Sequence, residues 1–452
     1  MTNKTSKNLS RRGFIGNSAI AVAGFTIVPA SVVSGMGHIS PSDKLNIAGI
    51  GIGGKGASNL SNIAKTQNIV ALCDVDWGDR PGRIFNTFPN AKKYKDYRIM
   101  LDKQKDIDAV IISTPDHTHA VISLDAIKRG KHVYTEKPLT HTVHEARVLT
   151  AAAKQYKVAS QMGNSGQAGN GPRRLREMIW DGVIGPVREV HVWTDRSNRG
   201  FSDTYWPQGV KRPEDAPPSP EYLDWDLFVG PAPMRPYHPA YHPFKWRGWW
   251  DFGCGSLGDM GCHTFDPIFR ALKLKYPTSV QAVSTLVNQE TYPLGSMVNY
   301  EFPEREGMPP VSLTWYDGGL RPLRLSELAD GDQMDAGGVI FVGDKGKIYG
   351  DKILPSSLRD SYKAPQPYIP SSPGHMEEWI LACKGGDPAG SNFDWAGPLT
   401  ESVLLGNIAL RMELREKLTK QVLKWDAEKF SFTNLPEADQ FLHYEYRNGW
   451  SL

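Results

Sequence analysis

The sequence predicts an α/β chain in two parts: a doubly wound parallel sheet, followed by an α+β domain with a large, mostly antiparallel sheet. Three observations carry this prediction. Short apolar runs alternate with helix-period stretches as far as about residue 165. Beyond that point strand-like runs follow one another without regular helices between them. The length, 452 residues, suffices for about two domains with large buried cores. The expected boundaries are 1–34 for an N-terminal segment of distinct composition, 44–165 for the parallel-sheet domain and 166–452 for the second domain.

The first segment reads as an export signal. Ser10-Arg11-Arg12-Gly13-Phe14-Ile15 has the paired arginines and following apolar residue of a twin-arginine signal. A mild apolar stretch over 15–33 follows, diluted by Gly16, Ser18, Gly24 and Pro29, and short for a stable membrane span. A basic arm with a short anchor is the alternative. Twin-arginine export carries folded proteins, so the sequence predicts a periplasmic protein that loads any ligand before export. No stable membrane span is expected once the signal is removed.

The elements of the first domain follow in order. Residues 44–52 read as a buried parallel strand that runs into Gly51-Ile52-Gly53-Gly54-Lys55-Gly56, and a helix is expected over 57–65. A second strand over 68–73 ends in Asp74, and a third over 109–113 ends on Thr114-Pro115. A helix over about 117–129 stops at Gly130. The next strand, 132–135, leads straight into Glu136-Lys137-Pro138. Thr142 and Glu145 form a capping box for a helix to about residue 156, and 158–161 is one more strand. In the second domain, strands are expected over 188–194, 280–287, 297–302, 311–315, 338–342 and 347–349. Residues 205–245, dense in proline and aromatics, read as a long loop over the site, and 400–418 as an amphipathic helix.

Composition excludes some functions. The formal charge is +3; residues 1–34 hold four cations and no acid, and taking those four from +3 leaves −1. A nucleic-acid partner is therefore not expected. Cys73, Cys254, Cys262 and Cys383 lack metal-ligand spacing, and no metal is expected. They read as small buried apolar residues, with a Cys254–Cys262 bridge as the alternative.

The chemistry lies in three clusters. In the first, Gly51 permits a tight turn, Gly53 lets backbone approach a pyrophosphate, and Gly56 allows close helix–strand packing. Gly54, Lys55 and the helix N-terminus complete the cradle. Asp74, 18 residues past Gly56, can accept from both ribose hydroxyls and repels a 2′-phosphate, so NAD is the expected cofactor. Thr114, Pro115 and His119 stand at the ligand edge of the same sheet, as contacts for the nicotinamide ribose; for His119 an ordinary helix-face histidine is the alternative. In the second cluster, Glu136 and Lys137 stand at the next strand tip, where Pro138 keeps Lys137 out of helical geometry. A lysine there can hold a substrate oxygen as it becomes alkoxide-like, or be a plain surface lysine. In the third, Asp259 and His263 are i and i+4, on one face of a helix. His263 suits a general base, and Asp259 can orient it or bind a hydroxyl. The alternative is an acid–histidine pair within a buried helix.

With these motifs the chain resembles the glucose–fructose oxidoreductase / inositol dehydrogenase / rhizopine catabolism (Gfo/Idh/MocA) family over nearly everything after the signal. The segment 423–450 looks like its secreted branch from glycan-degrading bacteria. The resemblance implies a Rossmann domain, NAD, and Lys137, Asp259 and His263 as the catalytic trio. It implies oxidation of a secondary hydroxyl of a sugar or glycoside, with C3 as a candidate carbon, and a homo-oligomer formed through the exposed sheet face. A related branch performs redox-neutral, NAD-assisted glycoside hydrolysis. It usually carries a Thr-His-Gly run that the Asp259–His263 string lacks. An epimerase and a non-catalytic sugar- or cofactor-binding protein are the other readings. Aromatics suit a sugar site, so the run Trp246-Arg247-Gly248-Trp249-Trp250-Asp251-Phe252, which leads into the Asp259 helix, and then Trp193, Trp206, Arg196 and Asn164 are the expected substrate contacts, with core packing as the alternative for each aromatic. An exported enzyme exchanges soluble NAD poorly, so NAD is expected to stay bound.

Overall fold

The structure, a computed structural model, describes residues 43–196 and 204–452. The twin-arginine segment lies outside the described residues. Among those described, no helix is long and apolar enough to cross a membrane.

Apolar runs too short for helices, flanked by glycine and polar turns, form the first sheet. Its elements are β1 (Asn46–Ile50), α1 (Lys55–Ile63), β2 (Asn68–Cys73), α2 (Asp79–Thr87), β3 (Lys92–Tyr94), α3 (Tyr97–Lys103), β4 (Ala109–Ile112), α4 (His119–Lys128), β5 (His132–Thr135), α5 (Val143–Gln155) and β6 (Ser160–Met162). The six strands are parallel in the order β3-β2-β1-β4-β5-β6, as the strand–helix alternation predicts. Every residue of β4 is fully buried, which explains its unbroken apolar run. The predicted capping box of α5 is present, with Thr142 and Glu145 serving each other's backbone N–H groups. The short β3 and the helices α2 and α3 are not among the elements expected from the sequence, although α2 buries Pro81, Ile84 and Phe85 and α3 buries Tyr97, Met100 and Leu101 at helical spacing.

Register positions the site. Ile50 of β1 pairs with Ile112 of β4, Ile112 with Thr135 of β5, and Thr135 with Met162 of β6. The residues that follow, Gly51, Ser113, Glu136 and Gly163, therefore emerge side by side at one edge. Strand order reverses between β1 and β4, where an open parallel sheet leaves its ligand crevice.

The second domain holds α6 (Asn170–Trp180), β7 (Val187–Trp193), α7 (Trp225–Val229), α8 (Gly255–Leu272), β8 (Ser279–Ser284), β9 (Ser296–Phe302), β10 (Val311–Tyr316), β11 (Gly338–Gly343), β12 (Lys347–Tyr349), β13 (Lys352–Leu354), α9 (Ser356–Ser361), α10 (His375–Cys383), α11 (Phe393–Ala409), α12 (Arg415–Leu418), β14 (Leu423–Asp426) and β15 (Ser431–Phe432). Its strands form one nine-stranded sheet, β13-β12-β11-β7-β10-β9-β8-β14-β15, antiparallel except for the β7–β10 pair. Helix α8 lies on this sheet: Phe265 meets Tyr300 and Trp315, and Phe269 meets Phe302 in an edge-to-face pair at 5.5 Å. Gly261 lets α8 approach α11, since a Cβ there would stand 3.0 Å from Val403. The helix expected over 400–418 instead runs from Phe393 to Ala409 and is buried on nearly every side. An amphipathic period is absent there because α11 is wedged between α5 and α8.

Candidate active site

The glycine turn is built as its spacing requires. Gly51 has φ +77°, and a Cβ on it would stand 2.7 Å from the Ser113 carbonyl carbon. A Cβ on Gly56 would stand 2.0 Å from Gly51 O, so α1 can start this close to β1 only with glycine there. Gly54 is open, and Lys55 begins α1. Asp74 accepts from Ile52 N at 2.7 Å and Asp76 N at 3.0 Å; burial raises its pKa to about 6. The turn and Asp74 line a cleft of ≈ 540 Å³ together with Thr114, Pro115, Glu136, Lys137 and His263, a volume within the usual range for a bound small molecule. This cradle, which side chains would fill, fits a dinucleotide: glycine-turn N–H groups for the pyrophosphate, Asp74 for the ribose hydroxyls.

The remaining predicted cofactor residues divide. Thr114 accepts a hydrogen bond from Thr118 at 2.8 Å and faces the cleft beside Pro115. Glu136 is buried and accepts from Asn59 at 2.7 Å; burial raises its pKa. His119 is displaced from the expected role. Its ring spans Pro138 O at 2.8 Å and Thr114 O at 2.9 Å and does not line the cleft. Burial keeps it neutral by lowering its pKa to about 4, so its single N–H donates to one of these two carbonyls between the β4 and β5 tips.

Helix α8 brings the third cluster to the second. Lys137 Nζ donates to Asp259 Oδ1 at 2.7 Å and to Asp259 O at 2.6 Å, with both side chains 14% exposed. Burial pushes the Asp259 carboxyl up, but the charges of Lys137 and Arg247 outweigh it and bring its pKa down to about 2. The i, i+4 spacing thus places Asp259 and His263 on one face, yet the carboxylate serves Lys137 and not the imidazole. Burial first, and then the Lys137 charge, lower the pKa of His263 to about 4. Its ring lines the cleft and makes no hydrogen bond to another described residue.

Two cleft residues, Asp116 and Asp76, escape the sequence reading, while Trp246 and Arg247 of the expected aromatic run do line the cleft. Arg247 lies 3.5 Å from Asp259 Oδ1, its guanidinium flanked by Trp246 at 4.2 Å and Phe244 at 4.3 Å. Asp116 is buried, accepts from Cys254 N at 3.0 Å, and has its pKa raised by burial to about 7. Nothing local marks Asp116, because its partner Cys254 is 138 residues away in sequence. Asp76 is the other: His242, from the distant 205–245 region, lies 3.1 Å from its carboxylate, and Gly78 N donates to it at 2.7 Å.

The expected substrate contacts mostly lie elsewhere. Asn164 is turned away into the core, donating to Asp266 at 3.1 Å. Trp250 is buried against Tyr292 and Arg411. Trp206 is buried beside Tyr205 and Phe244, and Trp193 stacks on Tyr349. None of these four lines the cleft. Packing claims the large indoles because each buries more apolar area than a half-open site can cover. Arg196 is exposed at a turn, and its charge reaches His263. The alternative Cys254–Cys262 bridge is not formed; all four cysteines are free.

The 205–245 region does cover the cleft, with Leu227, Phe228, His242, Pro243 and Phe244 in its wall. It is held down on the first domain by Trp77 N to Tyr222 O at 3.0 Å and Asp224 N to Val75 O at 2.9 Å. Instead of a plain loop it packs into a small aromatic core, in which its Leu223, Phe228 and Tyr241 meet Trp246, Trp249 and Phe252 from just beyond it.

Comparison with known proteins agrees with this architecture. Residues 44–164 match the profile of an oxidoreductase family with an NAD-binding Rossmann fold, and 170–452 match that family's C-terminal alpha/beta domain. Inositol 2-dehydrogenase of Salmonella typhimurium is 33% identical over 150 residues, 33% of this chain and 44% of the relative. A glycosyl hydrolase family 109 protein of Shewanella pealeana is 27% identical over 232 residues, 44% of this chain and 51% of the relative. The chain thus spans about half the length of the curated relatives it matches. Among solved structures, the WlbA dehydrogenase from Bordetella pertussis, in complex with NADH and UDP-GlcNAcA, shares the fold with TM-score 0.57 at 15% identity, covering 85% of this chain and 99% of that one. GenD2 from gentamicin A biosynthesis, in complex with NAD, shares it with TM-score 0.56 at 18% identity, covering 89% and 100%. With both profiles matched across nearly all described residues, the chain belongs to the Gfo/Idh/MocA oxidoreductase family and carries its NAD-binding Rossmann domain.

Proposed function

We propose that this protein is an NAD-dependent dehydrogenase that oxidises a secondary hydroxyl of a sugar or glycoside, C3 being the first carbon to test. We further propose that it acts in the periplasm after twin-arginine export, as a homo-oligomer. The observation that carries the chemistry is the Lys137–Asp259 ion pair beside a neutral His263 in the cleft of the nucleotide cradle. Bound NAD would supply the acceptor for the hydride that leaves the carbon. The chain's own residues handle the oxygen and the proton. Lys137 has three N–H donors, two of them engaged by Asp259, which leaves one for the substrate oxygen. Fixed in this way, the ammonium stabilises negative charge as it develops on that oxygen without reorganising. His263, with its pKa at about 4, is unprotonated at neutral pH and has a ring nitrogen free to take the hydroxyl proton. Asp259 holds Lys137 in place.

A panel of sugars and glycosides tests this, read by cofactor reduction and by mass spectrometry of the oxidised product. Lys137→Ala and His263→Ala are expected to abolish turnover on the substrate found. Near-normal turnover in both variants would sink the assignment. The similarity to a glycosyl hydrolase family 109 protein supports a second reading, redox-neutral hydrolysis. A free reducing sugar with no net cofactor reduction would select it.

A further inference from the structure

The segment 444–452 has no part in the chemistry above, yet it reaches the cleft. The strand order β2-β1-β4-β5 puts Lys137 on one side of that cleft, the glycine turn between, and Asp74 on the other side. A dinucleotide with its pyrophosphate on the turn and its ribose on Asp74 has its adenine beyond Asp74. The cleft residues on that side are Tyr97, which follows β3 next to β2, and Trp450, whose ring lies 6.4 Å from it; Thr118 and Trp450 share Gly230 as a neighbour, and α7 adds Leu227 and Phe228. We propose that Trp450 is an adenine-binding residue, and that the 444–452 segment makes NAD a resident group that does not exchange between turnovers.

The anchoring supports this. Trp450 has the Arg98 guanidinium over its ring at 4.6 Å, with the Tyr97 ring 6.4 Å away. Its N–H donates to Arg447 O at 3.1 Å. Arg447 in turn donates to Pro231 O at 3.0 Å through its backbone, to Gly230 O at 3.1 Å through Nε, and to the carboxylate and carbonyl of Asp226. Tyr446 donates to the buried Glu145 at 2.5 Å. Asp226 belongs to α7, which also carries Leu227 and Phe228. One set of bonds therefore holds both pieces that close the base end. A tryptophan there offers a wide, rigid apolar face at small entropic cost. Opening the base end requires Arg447 to leave three carbonyls and a carboxylate.

The inference is independent of the sugar and is tested without one. Full-length wild type, Trp450→Ala, Trp450→Phe and Arg447→Ala are desalted, and the nucleotide released on denaturation is measured. Stripped proteins are then titrated with AMP and with nicotinamide mononucleotide, the two halves of the cofactor. Wild type and Trp450→Phe are expected to retain NAD. Trp450→Ala and Arg447→Ala should release it about tenfold faster, with AMP affinity falling in proportion and mononucleotide affinity unchanged. Unchanged AMP affinity in both variants would overturn the proposal. So would an equal loss for both halves, which would mean general loosening, or wild type that retains no nucleotide.

Discussion

Replacing Asp259 by asparagine perturbs the site most sharply. The carboxylate receives Lys137 Nζ at 2.7 Å and lies 3.5 Å from Arg247 Nε. Asparagine keeps the shape and leaves two largely buried cations without a counter-charge. The carboxyl is held at about 2 against an ordinary 3.8, which corresponds to roughly 2 kcal/mol of native-state preference for the ionised form. Removing one partner of a fully buried pair costs about 3–5 kcal/mol. With 14% exposure on each side, a loss of about 2–4 kcal/mol is expected. Because the folded pKa is depressed, this stabilisation is complete above the unfolded value and fades only as pH falls from about 4 through about 2. Neutral pH therefore shows the full effect. The assay is a thermal midpoint at pH 7 for wild type, Asp259→Asn, Lys137→Met and the double variant. Midpoints are compared because a two-domain chain need not unfold in one step. Each single variant should melt several degrees lower, and the double variant should recover at least about 1 kcal/mol of the summed loss. Turnover of Asp259→Asn on an identified substrate should fall about 10²–10³-fold, the cost of misplacing one donor to a developing oxyanion. Single losses that simply add, or turnover at the wild-type rate, would refute the reasoning.

Three further outcomes are expected. Gly56→Ala should abolish NAD retention in a desalting assay, because its Cβ would stand 2.0 Å from Gly51 O and force the turn open. NAD affinity, followed by calorimetry, should weaken as pH falls through about 6, because burial raises Asp74 to that value and the ribose hydroxyls need its ionised form; Asp74→Asn should remove that pH dependence. Asp116 is raised by burial to about 7 and faces the same cleft as Lys137, so the pH profile of kcat/KM should bend near 7 in wild type and lose that bend in Asp116→Asn.

Local pattern is enough wherever a motif's meaning lies in a few adjacent residues. The glycine spacing implies a turn that excludes Cβ atoms, and Gly51 and Gly56 make it. Thr142 and Glu145 imply a capped helix, and the alternation of apolar runs implies a parallel sheet whose strand tips share one edge. Asp259 and His263 fall on one helical face by period alone. Partner choice is not local. The sequence pairs Asp259 with its helical neighbour, but the fold gives it to Lys137, 122 residues away, because α8 lies across the β5 tip. Indole rings read as sugar platforms or, more often, as core; Trp250, Trp193 and Trp206 are buried against Tyr292, Tyr349 and Phe244, while Trp246 lines the cleft. Asp116, Arg247 and Trp450 gain their places only when distant segments close around the cleft. The chemistry-bearing residue types were thus written in the sequence. Which of them face one another was decided by tertiary packing, because charge pairing and burial act through space and not along the chain.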